Sequence, residues 1–549
     1  MNHPQLAKLV LVSSIAMALA ACGGSSSKHH DGNQPGTTPP VSGATVGDVI
    51  ALTASNRLVS FNRTTPGTIR TDVAVVGMLN GENLLGIDVR PRDGVLYGVG
   101  SSGRLYTIDV ATGAATMKSR LSADATDTTA PFTELAGTDF GVDFNPVADR
   151  LRIVSNTGQS LRINVDTGAT TTDGNINGGA ANTAITASAY TNSFAGTGST
   201  TLYGIDTVNA TLYTQNPPND GTLAMPVALG VAVGSANGFD IDARTNMGYM
   251  LGTVGGARNL YSVNLGATTN AATLVGAIGV SENLRGIALR GGQAVTVLGL
   301  RDDNRLVGFK PATPNTIDTD IAITGLNSGE SLLGIDVRPK DNLLYGLTSS
   351  GRILTIDAAT GATTVKATLA ADAADTTAPY TAIQGSAFAV DFNPMADRLR
   401  VISNTGQSLR INVDTGATTT DGNINRAGAA PVVTAAAYTN SIPNASATQL
   451  FDIDSTSSVL ALQNPPNDGT LVNVGPLGMT IAGDAGMDIG GGANGLVLAA
   501  LRTTATGPSS LYRIDLTTGA ATPINGTATP ATSTIGTGPG LRDIAIWLR

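Results

Sequence analysis

Apolar and polar residues alternate in short runs along most of this chain. In the clearest unit, residues 87–90 alternate, 95–99 and 104–109 form two further short apolar runs, and a Gly-containing turn at 111–113 leads into 114–118. A period of two, bounded by Gly, Asn and Asp, predicts four short antiparallel strands. No stretch after residue 47 shows a convincing helical period. The pattern therefore predicts an all-β protein.

Similar units begin near Val142, Ala187 and Phe239, at a spacing of roughly 45 to 55 residues. A single four-stranded sheet cannot bury both of its faces, so units at this spacing predict the blades of a β-propeller. A fifth, partial unit at 49–76 lacks a first strand, and residues 284–290 supply one. Pairing the two ends of the domain removes two exposed sheet edges.

The chain contains this domain twice. A shift of 248 residues places Asn56 on Asn304, and residues 149–177 match 397–425 with only one pair of positions exchanged. We therefore predict two tandem five-bladed propellers, at 47–291 and 292–549, with residues 541–547 closing the second ring. A single ten-bladed ring exceeds the usual range of blades, and a β-solenoid has shorter and more even repeats.

The N-terminus predicts export and lipid attachment. Residues 1–21 have the layout of a signal peptide, ending in Leu-Ala-Ala before Cys22, the only cysteine in the chain. We interpret Cys22 as a lipidation site of the palmitate-bearing kind and residues 22–46, rich in Gly, Ser, Thr and Pro, as a flexible tether. The alternative is an ordinary signal peptide with an accidental cysteine. The expected location is the cell envelope, as an outer-membrane lipoprotein anchored to the membrane.

Composition excludes several functional classes. The net charge of −9 makes nucleic acid an unsuitable partner. The only histidines, His3, His29 and His30, precede the predicted domains, so those domains hold neither a Ser-His-Asp triad nor a His/Cys zinc site. Any catalysis would depend on carboxylates, arginines, tyrosines or a cofactor.

The starts of the predicted blades carry the first group of candidate residues. They are acidic, amide or arginine residues, often two positions apart and hence on one side of a strand. Because first strands line a propeller channel, we predict a polar ligand or ion site there. The alternative is that these side chains bridge neighbouring blades or satisfy backbone groups in the tight inner strands. They are Asp88, Arg90, Asp143, Asn145, Asp240 and Asp242, with Asp336, Arg338, Asp391, Asn393 and Asp488 in the second copy.

Residues 173–178 resemble the opening of a calcium-binding loop. Asp173, Asn175 and Asn177 occupy alternate positions and are followed by glycine, an arrangement that brings oxygen ligands to one cation. Position twelve is Ala184 rather than glutamate, and the second copy has Arg426 in place of the glycine. Calcium is therefore the one cofactor that the sequence suggests, against the alternative of a plain turn.

Two pairs of arginines form a third group of candidates. Arg150 and Arg152, repeated as Arg398 and Arg400, alternate along a strand and share one face. Guanidinium groups suit carboxylates, so we predict an anion or sugar-acid site, with a solvated or ion-paired face as the alternative.

Three segments carry a family resemblance: Leu-Gly-Ile-Asp-Val-Arg-Pro at 85–91, Asp-Phe-Asn-Pro-x-Ala-Asp-Arg-Leu-Arg at 143–152, and Asn-Thr-Gly-Gln-Ser-Leu-Arg-Ile-Asn at 156–164. Both copies resemble the bacterial family known as domain of unknown function 4394. The resemblance implies a secreted, propeller-like domain and implies no activity or catalytic residues.

The expected function is that of a lipid-anchored binding scaffold in the cell envelope, with an envelope protein or a glycan as partner. An aromatic content of 4% argues against strong stacking on sugars. The alternatives are a carboxylate- or calcium-dependent enzyme of the lactonase-like propeller kind and a purely structural envelope protein.

Overall fold

The computed structural model of the protein describes residues 45–234, 237–291, 295–428, 430–525 and 533–548. The predicted signal peptide, Cys22 and nearly all of the predicted tether lie outside these ranges. The described chain is built from short β-strands and three single-turn 3-10 helices. None of its helices has the length and apolar character needed to cross a membrane.

The first propeller contains twenty-one strands in chain order. They are β1 (Val49–Thr53), β2 (Arg57–Asn62), β3 (Thr65–Ala74), β4 (Leu84–Val89), β5 (Leu96–Gly100), β6 (Arg104–Ile108), β7 (Ala115–Arg120), β8 (Ser122–Ala123), β9 (Phe140–Asn145), β10 (Arg150–Ser155), β11 (Ser160–Ile163), β12 (Ala169–Thr172), β13 (Ile185–Tyr190), β14 (Leu202–Asp206), β15 (Thr211–Gln215), β16 (Leu223–Ala228), β17 (Gly238–Ile241), β18 (Gly248–Val254), β19 (Ala257–Val263), β20 (Ala272–Ala277) and β21 (Leu284–Leu289). A 3-10 turn (Pro218–Asp220) lies between β15 and β16.

The second propeller repeats this order with twenty-one strands. They are β22 (Val295–Arg301), β23 (Arg305–Phe309), β24 (Ile317–Ala322), β25 (Leu332–Val337), β26 (Leu344–Thr348), β27 (Arg352–Ile356), β28 (Thr363–Thr368), β29 (Ala370–Ala371), β30 (Phe388–Asn393), β31 (Arg398–Ser403), β32 (Ser408–Ile411), β33 (Ala417–Thr420), β34 (Val433–Tyr438), β35 (Leu450–Asp454), β36 (Val459–Gln463), β37 (Leu471–Pro476), β38 (Gly486–Gly490), β39 (Leu496–Leu501), β40 (Ser510–Ile514), β41 (Ala521–Pro523) and β42 (Leu541–Leu548). The other 3-10 turns are Pro466–Asp468 and Gly492–Asn494.

Ten sheets result, five in each copy, and each sheet is one blade. Eight blades have four antiparallel strands, and the third blade of each copy gains a two-residue parallel strand, β8 or β29. In the first blade of each copy the innermost strand comes from the far end of that copy: β21 pairs with β1, and β42 pairs with β22. The prediction of two tandem propellers, each closed by its C-terminal strand, is confirmed.

The inner strands contact one another in a cycle. In the first copy the order is β4, β9, β13, β17, β21 and back to β4; in the second it is β25, β30, β34, β38, β42 and back to β25. Each copy thus closes on itself, and neither a ten-bladed ring nor a solenoid describes the chain. Apolar clusters lie between successive blades, for example around Phe144 and Phe392.

Small residues allow the inner strands to approach so closely. A Cβ atom at Gly238 would lie 2.7 Å from the backbone nitrogen of Ile287 on the next inner strand. At Gly141 it would lie 2.4 Å from the backbone nitrogen of Ser188. A five-bladed ring therefore leaves almost no free space along this layer of its channel, because backbone from neighbouring blades occupies the position of a side chain.

The two propellers are joined by a loop of the first that packs into the second. Phe194 is fully buried in a cluster of residues that otherwise belongs almost entirely to propeller 2, against Gly491 and Leu548. The backbone N–H of Gly198 donates to the Gly495 carbonyl at 2.7 Å. The equivalent residue of the second copy, Ile442, is only half-buried. The same position of this loop is therefore an interface residue in the first copy and a partly exposed residue in the second.

Candidate functional site

Three aspartates meet at the centre of each propeller. Asp88 on β4, Asp143 on β9 and Asp240 on β17 are each 1–3% exposed, and one carboxylate oxygen from each lies within 4.8 Å of those of the other two. The equivalent positions on the other two inner strands hold alanine. The predicted set of channel aspartates therefore converges at one point, as a triad rather than a full ring.

Each triad carboxylate also links two blades. One oxygen of Asp88 accepts from the backbone N–H of Val89, and the other accepts from that of Phe144 on the next inner strand, both at 2.7 Å. Asp143 accepts from Tyr190 at 3.0 Å in the same way. The blade-bridging alternative thus describes the same side chains. A carboxylate oxygen has two lone pairs, so these hydrogen bonds leave capacity for a further partner.

The second propeller repeats the triad and adds a fourth acid. Asp336, Asp391 and Asp488 come within the same 4.8 Å of one another and are buried. Asp543 on β42, 2% exposed, accepts from the backbone N–H of Ile335 at 2.9 Å. The first copy has glycine at the equivalent position of β21, which explains why the match between copies did not reveal Asp543.

Burial and mutual repulsion oppose ionisation of these groups. Burial raises the pKa of Asp240 to about 7 and that of Asp488 to about 6. Burial raises the pKa of Asp88 well above its usual range, and the charge of Asp240 adds to this effect. Burial and the neighbouring Asp88 carboxylate do the same for Asp143. Without a counter-ion, the triad must hold protons at neutral pH.

The triad can accommodate a calcium ion. Calcium takes carboxylate oxygens at about 2.3–2.6 Å, so two of its ligands lie up to about 5 Å apart, which is compatible with carboxylate oxygens within 4.8 Å of one another. Magnesium demands near-ideal octahedral geometry and usually keeps several waters, which a buried group of three carboxylates does not favour. The donors are all hard oxygen atoms. The residues therefore fit calcium, and in the second propeller Asp543 lies beside the same group.

A buried hydroxyl lies in the channel of the first propeller, at the level of the glycines two residues before the triad aspartates. Ser188 on β13 is 1% exposed, and its Oγ has no hydrogen-bond partner among the residues that the structure describes. It lines a void of about 10 Å³ between the inner strands, together with Gly86, Gly141 and Gly238. A void of this size holds about one water molecule, and a buried hydroxyl without a partner indicates that something polar belongs there.

The residues two positions after the aspartates have partners within the protein instead of lining a ligand site. Arg90, 4% exposed, is ion-paired with Asp149 and Asp166 of the next blade, and Arg338 repeats this arrangement. Asn145 accepts from backbone N–H groups of its own turn, and so does Asn393. Asp242 is ion-paired with Arg63 of the first blade. The arginines and Asp242 therefore bridge blades, whereas the two asparagines satisfy backbone groups.

The predicted anion site at the paired arginines is wrong in its geometry. Arg152 is 1% exposed and lies inside the molecule, where it is ion-paired with Asp173 and donates to Tyr190 Oη at 3.2 Å. Arg150 donates only to backbone carbonyls nearby. Arg400 and Arg398 repeat both environments. The alternation along the strand is as predicted, but Arg152 faces the next blade, where Tyr190 and Asn219 accept its hydrogen bonds.

The calcium loop predicted at 173–177 also needs correction. The carboxylate of Asp173 is held by Arg152 and, at 2.7 and 2.8 Å, by the guanidinium of Arg162. Asn177 donates to the backbone carbonyls of Asn175 and Asp220. Two guanidinium groups on the only carboxylate of the loop repel a cation, so the segment is a salt-bridged turn. The cluster that suits calcium lies in the channel instead.

The two channel mouths where the inner strands begin differ in how many charged residues line them, which sequence reasoning missed. In propeller 1 the cavity is about 210 Å³, with Asp139 and Arg285 at its walls. In propeller 2 it is about 360 Å³ and contains two acids and two arginines, with Arg502 ion-paired to Asp302. Comparing the copies for differences rather than matches would have found this, since Ala54 and Thr253 of the first copy, the counterparts of Asp302 and Arg502, are uncharged.

The comparisons with known proteins agree with the repeat. A family model described as "Domain of unknown function (DUF4394)" matches residues 57–288 and again 305–545. No relative among the curated proteins matches the chain. Similar solved structures include a nidogen/laminin complex (13% identity, TM-score 0.29, 45% of this chain and 98% of that chain). Another is the Dos1 propeller (13%, 0.25, 68% and 95%).

A third is a catalytically inactive variant of virginiamycin B lyase from Staphylococcus aureus with quinupristin, at 11% identity and a TM-score of 0.22, covering 67% of this chain and 94% of that chain. Since these TM-scores are low, the propeller architecture rests on the strand pairing described above.

Proposed function

Because the chain belongs to the family called domain of unknown function DUF4394, we propose a function from the site itself. The protein is a binding scaffold of the cell envelope, and each of its two propellers holds a calcium ion at the channel aspartates. The observation that carries the proposal is the buried triad, present in both copies, with the carboxylate oxygens of each within 4.8 Å of one another. In propeller 1 the Ser188 hydroxyl, unpaired among the described residues, lines a small void in the same channel and indicates a polar occupant there.

A cation in the triad would act on stability rather than on a substrate. It would neutralise carboxylates that burial otherwise keeps protonated, and it would tie three inner strands to one centre. The aspartates are at most 4% exposed, and the void between the inner strands of propeller 1 is about 10 Å³. A lactone cannot enter such a space, so the geometry favours a structural ion over the lactonase-like alternative.

We expect calcium to raise the melting temperature of the full chain in detergent by several degrees relative to EDTA, and by more than magnesium does. The double variant Asp240→Asn, Asp488→Asn is expected to lose this rise. Each of these carboxylates accepts one backbone N–H on each of its two oxygens, and asparagine keeps only one of the two acceptors. That loss is the same in both buffers, so the calcium-minus-EDTA difference is compared within each variant. The measurement is a circular-dichroism melt at about pH 7.5, where the carboxylates ionise more readily than at about pH 5.

The variant Asp318→Asn, at an exposed aspartate on β24, is the matched control and keeps the full calcium response. An absence of any calcium shift in the unmodified chain would overturn the cation proposal. An equal shift in the double variant would do the same, because calcium would then bind elsewhere.

The membrane anchor is a separate part of the proposal. It is supported by the residues before Cys22 and by the tether-like composition of 22–46. In cells fed a labelled palmitate, we expect the full chain to carry the label and Cys22→Ser to lose it. The control Lys28→Ala, in the same tether, keeps the label. Labelling that persists in Cys22→Ser would contradict lipidation at this residue.

A further inference from the structure

The seam between the two propellers contains a cavity of about 270 Å³. Arg244 and Thr245, in the turn after β17 of propeller 1, form one side. Propeller 2 supplies the rest: Val337, Ile546 and Leu548 are apolar, and the remaining lining residues are mostly polar or glycine. The cavity exists only because both propellers contribute to it, and cavities at such junctions are common ligand sites.

Arg244 has no partner in this cavity. Its side chain is half-buried, and none of the residues that the structure describes accepts a hydrogen bond or forms an ion pair with its guanidinium. The nearby acids are already engaged: Asp242 pairs with Arg63, and Asp341 with Arg338. A guanidinium group has five donors in a planar fork, and its natural partner is a carboxylate bound by two parallel hydrogen bonds.

The pairing of the charged lining residues also favours an anion at Arg244. Lys340 is ion-paired with Asp397 at 2.9 Å and Asp341 with Arg338, so Arg244 is the one charged side chain of this lining without an ion-pair partner among the described residues. The second copy has Gly492 at the position of Arg244, so this group is not a general feature of the repeated domain. The apolar residues provide a surface for a short hydrocarbon body next to the charge.

We propose that this cavity binds a small organic monocarboxylate, with the carboxylate on Arg244 and a short apolar body against Ile546 and Leu548. The proposal rests on the scaffold role and deepens it by naming a class of ligand. It does not depend on the channel cation, because the residues that line the cavity do not include the triad aspartates.

The test is isothermal titration of the full chain in detergent with hexanoate, and with hexanamide as an uncharged analogue of the same shape. Hexanoate is expected to bind, and hexanamide to bind at least about tenfold more weakly. Arg244→Gln is expected to weaken hexanoate binding at least about tenfold. Arg244→Lys keeps the positive charge but not the planar fork of donors, so its affinity for hexanoate is expected to lie between those of the unmodified chain and Arg244→Gln.

Arg120→Gln is the matched control, since Arg120 is an exposed arginine on β7 outside this cavity. It keeps the affinity of the unmodified chain. Failure of hexanoate to bind would overturn the proposal, as would equal binding of hexanamide or unchanged binding to Arg244→Gln. If hexanoate fails to bind but calcium still raises the melting temperature, only the carboxylate site is overturned. If hexanoate binds as expected but calcium has no effect, only the cation proposal is overturned.

Discussion

Arg400→Met is expected to destabilise propeller 2 by about 3–5 kcal/mol, because it breaks a buried ion pair and leaves its partners without donors. Arg400 is 1% exposed, is ion-paired with Asp421, and donates to Ser408 Oγ at 3.0 Å. It also donates to Tyr438 Oη at 3.1 Å and thereby links the third blade of propeller 2 to the fourth. Methionine fills a similar volume but cannot replace these bonds.

The measurement is urea unfolding followed by tryptophan fluorescence. The chain has one tryptophan, Trp547 on β42, so this signal reports propeller 2. We expect a markedly lower urea midpoint for Arg400→Met. Arg398→Met, which loses only bonds to backbone carbonyls, is the matched control and should shift the midpoint little. Arg152→Met makes the same change in propeller 1. If Arg398→Met shifts the midpoint as far as Arg400→Met, the buried network is not the cause.

Asp452→Asn is expected to stabilise propeller 2 at alkaline pH, by on the order of 4 kcal/mol. Asp452 on β35 is fully buried, and neither carboxylate oxygen has a hydrogen-bond partner among the described residues. Burial raises its pKa to about 8, although the charge of Arg400 opposes the rise. The first copy has glycine at this position, Gly204, so the loss of stability caused by ionising this buried carboxyl is specific to propeller 2.

The sign follows from proton binding. In the folded chain the carboxyl holds its proton up to about pH 8, whereas in the unfolded chain it loses the proton near about pH 4. The stability contributed by this group is therefore fully present below about pH 4 and is lost as the pH rises towards 8. Asparagine mimics the protonated acid at every pH and removes this loss.

Urea midpoints read from Trp547 at about pH 5, 7 and 9 test this prediction. The difference between Asp452→Asn and the unmodified chain is expected to grow as the pH rises from about 4 to about 8, the interval between the unfolded and folded pKa values. Subtracting the two curves removes the contribution of the channel aspartates, whose pKa values are raised as well. The exposed control Asp318→Asn should show no such difference. A gain that is the same at all three pH values would mean that Asp452 does not titrate in this way.

The sequence by itself determined the architecture. Alternation of apolar and polar residues sets the strands, because each strand places successive side chains on opposite faces. The spacing of the units and the missing strand at 49–76 set the number of blades and the closing strands, because an unpaired sheet edge must find a partner. Duplication of the chain then gives two rings. These features depend on local pattern and chain order.

The tertiary structure alone decided which polar residues meet. Asp88 and Asp143 converge only because the closed ring brings their inner strands to one axis, whereas Asp173, which resembles a cation ligand in sequence, is held by Arg152 from another strand of its blade. Arg244 is half-buried because a second propeller packs beside its turn. The physical reason is that burial and electrostatic partners come from residues far apart in the chain, and sequence periodicity specifies only the face on which a side chain lies.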